Sequence, residues 1–211
     1  MKSRMTSKIK KAEMEEILNH HVMRRTHSQY EAHAFHEAGH AVMCWHEGIT
    51  ITEATLFPAK DSGGHVLHRS VLHNSDVAKN DSDMRRLRYI ALIRVALAGA
   101  IAQKHFRPKS HHHKGAKADR ASARELALRV EPNGDCVFAL LKLCDLQVKA
   151  RLDMALVHEV AVALQKEVML KGKEVTKIIR ENILKRREIT RRGMVTHNRR
   201  EVDVVAINRA L

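Results

Sequence analysis

The stretch Phe35–Gly48, FHEAGHAVMCWHEG, carries residue types that bind and use a divalent metal. His36 and His40 are four apart, so on a helix they project from one face, one turn above the other. Two neutral imidazoles so placed can share a zinc ion, and Glu37 sits close enough to reach a water on that ion without being a ligand. Zinc lowers the pKa of such a water towards neutrality, and a carboxylate can take its proton as the oxygen attacks a peptide carbonyl. His-Glu-x-x-His is short. A shuffled chain of this composition, with its 16 histidines, carries about 0.08 copies by chance. The motif is therefore only suggestive by itself, and the competing reading is an amphipathic helix with two solvated histidines.

A catalytic zinc commonly takes three protein ligands and leaves a position for water. The third must come from another segment, and the sequence offers Asp119, Glu125 and the run His111-His112-His113. Asp119 falls near the start of a predicted helix, where a short side chain is held by fixed backbone. Glu125 is about one and a half turns further on, on the opposite side of that helix. The three histidines sit in a polar loop that does little to fix geometry.

These residues need elements to position them. A helix is predicted from about Gln29 to Glu47, with Phe35, Ala38, Val42 and Trp45 as its core face and Gly48 as its C-terminal stop. Gly39 costs about 1 kcal/mol relative to alanine inside a helix, which implies that another segment passes close by. Alternation through Ile49, Ile51 and Leu56-Phe57 predicts a strand, Lys60–Gly64 a turn, and His65–His68 a second strand. Further helices are expected near 12–22, from Asp81 or Ser82 to Phe106, over 118–130, throughout Cys136–Leu170, and from Val175 to Glu188. Glu131–Gly134 breaks one pattern, Lys171–Lys173 makes a turn, and the basic remainder reads as an irregular tail.

The whole chain sets the bounds. Its 211 residues suffice for one large domain with a proper core, and the 44% hydrophobic fraction comes mainly from aliphatic side chains. The net charge of +14 favours an acidic partner, but with one Trp and two Tyr there is no basic-aromatic interleaving to single out nucleic acid as the primary one. Cys44, Cys136 and Cys144 form no C-x-x-C pair and read as free, mostly buried thiols in a reducing compartment, with Cys136 and Cys144 as small core residues of a helix. Neither a signal peptide nor a transmembrane segment is recognisable, so a cytoplasmic setting is expected.

Several segments, in order, resemble the peptidase domain of FtsH-type ATP-dependent zinc metalloproteases. AFHEAGHAVMCW at 34–45 is similar to the family's zinc helix. ATLFPAKDSGGHV at 54–66 is similar to the following strand and its glycine-containing edge strand. ALAGAIAQKHF at 96–106 resembles a helix with a Leu-Ala-Gly-Arg-x-Ala-Glu pattern, although Ala100 stands for the arginine and Gln103-Lys104 for an acidic pair. GAKADRASARELA at 115–127 resembles the segment that supplies the third zinc ligand, and the closing helices share a Leu-x-Gly-x-Glu-Val pattern. The resemblance spans roughly residues 30–180.

The resemblance implies a mainly α fold with a small β-sheet beside the zinc helix, divided into a basic N-terminal segment (1–28), a peptidase domain (29–188) and a basic tail (189–211). It implies Zn2+ held by His36, His40 and Asp119, with Glu37 as general base. Gly63, Gly64, His65 and Val66 would form an edge strand that binds substrate backbone. No G-x-x-x-x-G-K-[ST] loop occurs, so the expected activity is cleavage of unfolded or flexible polypeptides without an ATPase module of its own, beside a separate ATPase or in a homo-oligomer. The alternative is a catalytically retired protease scaffold acting as a basic protein- or nucleic-acid-binding module.

Overall fold

A computed structural model describes residues 27–57, 64–70, 82–109 and 114–210. The expected helix near 12–22, residues 60–63 of the turn (Gly63 included) and His111–His113 lie outside them. In chain order the elements are α1 (His27–His46), β1 (Ile51–Thr55), β2 (His65–His68), α2 (Ser82–Phe106), α3 (Lys114–Val130), α4 (Val137–Arg151), α5 (Met154–Glu167), β3 (Met169–Lys171) and α6 (Gly172–Ala210). The fold is mainly helical with a three-stranded antiparallel sheet in the order β2-β1-β3.

α1 is the central element. Ala34, Phe35, Ala38, Ala41, Val42, Met43 and Cys44 are all buried, and the helix packs against α2, α5, β1 and β2. Phe35 stacks on Phe106 of α2 with ring centroids 3.7 Å apart. Val157, Val160, Ala161 and Leu164 of α5 join the same core, as do Val175 and Ile179 of α6. Each fully buried aliphatic side chain contributes about 1.5–3 kcal/mol by leaving water, so this cluster is what fixes α1 in place. A second cluster of Ile93, Ala123, Ala127, Val130, Val137 and Cys144 joins α2, α3 and α4, and so sets where α3 lies relative to α1.

The close approach implied by Gly39 is made by α2. A Cβ at position 39 would fall 2.6 Å from Ala102 Cβ and 2.7 Å from the Ala98 carbonyl oxygen. Gly48, with φ of +69°, ends α1 as expected. At the same end, Glu47 accepts from Arg94 Nε at 2.8 Å and from Arg151 at 3.2 Å, tying α1 to α2 and α4 through a half-buried ion network.

The stretch 136–170, expected to be helical throughout, is two helices followed by the start of a strand. Leu152 and Asp153 are extended, and the Asp153 carboxylate accepts from the backbone N–H groups of Ala155 and Leu156, capping α5. Past α5, Val168 takes a left-handed conformation (φ 62°), and its carbonyl accepts from Leu56 N at 2.8 Å. Met169–Lys171 then pairs with Thr55–Glu53. Three residues are too few to show a period-two pattern, and only the exposed backbone of β1 makes them a strand. α6 also continues to Ala210, where an irregular tail was expected beyond Glu188. Gly193 alone costs about 1 kcal/mol and does not stop a helix. Among the described residues, no helix is long and apolar enough to cross a membrane.

Candidate metal centre

α1 presents His36 and His40 on one buried face, with only 7% and 9% of their surface exposed. Their Nε2 atoms are 3.1 Å apart. Asp119, carried on α3, brings Oδ2 to 2.9 Å from His36 Nε2 and 3.4 Å from His40 Nε2. Among the described residues these three are the group of His, Cys, Asp or Glu side chains whose donor atoms converge within 4.8 Å of one another.

The other side of each ring decides what those atoms can do. His40 Nδ1 lies 2.8 Å from the Val95 carbonyl oxygen, which can only accept, so Nδ1 carries the proton. His36 Nδ1 donates in the same way to Gln103 Oε1 at 3.0 Å. Each neutral ring therefore turns an Nε2 lone pair towards the carboxylate. With both ring protons committed, Asp119 Oδ2 is buried without a hydrogen-bond partner. Three lone-pair donors cannot crowd together unless a positive charge joins them.

A proton meets that need in part. Burial disfavours charge on His40, yet the hydrogen bond and charge of Asp119 outweigh it and raise the pKa to about 9. Burial likewise works to raise the Asp119 carboxyl, but a ring of His36 or His40 protonated on Nε2 would donate to it, and that pairing holds the carboxyl well below the usual carboxylate range. A divalent metal meets the need fully. A tetrahedral ion with bonds of about 2.0–2.1 Å sets its ligands about 3.3 Å apart, close to the 2.9, 3.1 and 3.4 Å found. Two imidazoles and a carboxylate, with each imidazole oriented by an acceptor behind it, are a donor set suited to zinc.

Glu37 is 4% exposed and lines the same cavity of about 430 Å³ as the three candidate ligands. Burial raises its carboxyl above the ordinary value, against the pull of His36 and His40. The cavity wall is apolar along Leu92, Val95 and Leu126 and polar along Gly64, His65 and His68. The start of β2 approaches Glu37 closely: a Cβ at Gly64 would lie 2.9 Å from Glu37 Cγ.

The structure thus brings together His36, Glu37, His40, Asp119, Gly64, His65 and Val66. Glu125 points away and pairs with Arg129 at 3.0 Å on the exposed side of α3. Sequence reasoning overlooked two supporting residues. Gln103, at 2% exposure, orients His36, and its one signal was a polar residue within an otherwise apolar helical stretch. Gly99 leaves room for the His40 ring, where any Cβ would collide with it.

No model of a known protein family matches this chain, and no curated protein matches its sequence.

Proposed function

We propose that this chain is a zinc metalloendopeptidase with an FtsH-type peptidase fold, acting on unfolded or flexible polypeptides. The observation that carries this reading is the convergence of two tautomer-locked histidines and Asp119 within 3.4 Å, in one cavity with buried Glu37. His36, His40 and Asp119 would hold the ion. Bound there, zinc supplies Lewis-acid activation of a water and of the substrate carbonyl. Glu37 takes the proton from the attacking water and returns it to the leaving amine as the C–N bond breaks. A metal kept only for structure has no use for that carboxylate, so its presence beside the ligands favours catalysis.

The sheet supports the choice of substrate. β2 pairs with β1 on one side and is one of the two edge strands of the sheet among the described residues, the one that borders the cavity. An extended peptide can add to such an edge through backbone hydrogen bonds, with little demand on its sequence. Most backbone groups of a folded domain are already paired within its own helices and sheets, so unfolded or flexible chains are the natural substrates. With no phosphate loop in these 211 residues, folded substrates would require a separate ATPase.

The test is metal analysis of the purified protein together with cleavage of casein, before and after chelation and after zinc is restored. Near-stoichiometric zinc and chelator-sensitive cleavage are expected. Protein that holds zinc but leaves casein intact would point to a retired scaffold.

A further inference from the structure

His65 has no role in the proposed metal site, yet it lines the same cavity as Glu37 and the three candidate ligands. Its position is fixed by pairing: it opens β2 directly opposite Thr55 of β1, whose own side chain is buried and bonded to the Val168 carbonyl. The preceding residue, Gly64, packs against Glu37, so the strand delivers residue 65 to the rim of the catalytic cavity. The ring is also close enough to Glu37 for the two to interact electrostatically.

Its hydrogen bonding sets it apart from its neighbours. Two further histidines, His33 and His68, line the cavity. His68 Nδ1 donates to the Arg69 carbonyl at 3.0 Å, and His33 is also engaged. His65 Nδ1, by contrast, is buried and has no hydrogen-bond partner among the described residues. A folded chain does not usually leave a buried ring nitrogen unmatched without a ligand or water to satisfy it. His65 is not one of the three donors that converge within 4.8 Å of one another, so it lines the cavity without joining that cluster.

We propose that His65 is a catalytic residue that donates a hydrogen bond to the substrate carbonyl oxygen as that oxygen gains negative charge. This rests on the peptidase reading. When the water oxygen bonds to the carbonyl carbon, the C=O pair moves onto oxygen, and His65 N–H stabilises that charge without giving up its proton. The charge returns to the C=O bond as the C–N bond breaks, and Glu37 supplies the proton to the amine. A donor aimed at charge that exists only in the transition state raises kcat and leaves substrate binding almost unchanged.

The experiment compares wild type, His65→Ala and His65→Gln on a casein fragment whose cleavage site is mapped with the wild-type protein. Zinc content, melting temperature and affinity for a phosphinic analogue of that site are measured alongside. His65→Ala should lower kcat by about 100-fold with KM within about threefold, and weaken the phosphinic analogue by a similar factor. Zinc content and melting temperature should stay at wild-type values, and His65→Gln should recover part of the loss through its amide N–H. Activity of His65→Ala within about threefold of wild type would overturn the proposal while leaving the peptidase reading intact. A loss accompanied by lost zinc or a lowered melting temperature in both variants would also overturn it, as a structural role. An inactive wild-type protein would remove both readings together.

Discussion

Gly99 of α2 leaves the space that the His40 imidazole of α1 fills. A Cβ at position 99 would lie 2.7 Å from His40 Cε1 and 2.8 Å from Cδ2, and closer still to Nε2, the atom that faces Asp119. The ring has no easy retreat, because its Nδ1 is held by the Val95 carbonyl. Gly99→Ala should therefore lower zinc affinity at least tenfold, although alanine gains about 1 kcal/mol of helix propensity. Competition against a chromophoric chelator measures this. Unchanged affinity would show that the ring can move without cost.

Gln103 acts on the other imidazole. Its Oε1 accepts from His36 Nδ1 at 3.0 Å from a position almost free of solvent. Gln103→Leu keeps the volume and removes the acceptor, so a 10–100-fold loss of zinc affinity is expected, the range usual when the group orienting a metal ligand is removed. Gln103→Glu should keep the metal, since a carboxylate accepts the same proton. If the leucine variant binds zinc like wild type, the orienting role is wrong.

Glu37→Gln should retain zinc and lose casein cleavage by a factor of about 100 or more, because the amide cannot accept the proton from water. Glu37 is not among the three converging donors, so metal stoichiometry is the internal control. Cleavage near the wild-type rate would remove Glu37 from the mechanism.

Asp119→Ala should abolish tight zinc binding, while Glu125→Ala should leave it intact. The contrast follows from position on α3: Asp119 Oδ2 meets both Nε2 atoms, whereas Glu125 pairs with Arg129 in solvent. Metal analysis after dialysis settles it. Stoichiometric zinc in the Asp119 variant would move the third ligand elsewhere, with His111–His113 the next candidates to substitute.

The thiols should divide by burial. Cys44 and Cys144 are buried, whereas Cys136, expected in the core of a helix, is exposed because it sits at the N-cap, just before α4 begins. Burial pushes the Cys44 thiol up to about 12, so it stays protonated and unreactive at neutral pH. Burial also raises Cys144. Native protein at pH 8 should therefore take up about one equivalent of maleimide rapidly, at Cys136, and the rest only on denaturation. Rapid uptake at Cys44 by peptide mapping would contradict the packing of α1.

Some of this was legible in the residues alone. The helix bearing His36 and His40, its stop at Gly48, the strand His65–His68 and the helix ending at Phe106 all follow from local pattern, because periodicity, capping and turn chemistry act within a few residues. The need for a close neighbour at Gly39 was likewise readable, since a glycine inside a helix carries a local cost. The break at Asp153 and the strand Met169–Lys171 were not. A capping aspartate within an apolar helical pattern looks like any polar residue, and β3 exists because β1 offers it a partner.

The site divides in the same way. The sequence by itself determined that two imidazoles share a helical face with a carboxylate beside the first, because a 3.6-residue turn requires it. Only the tertiary structure decided that Asp119 meets them, that Val95 and Gln103 turn both Nε2 lone pairs inward, and that Gly99 makes room for one ring. Those contacts join residues 55 to 83 positions apart, and α2 and α3 are set against α1 by two hydrophobic clusters whose packing no local pattern specifies.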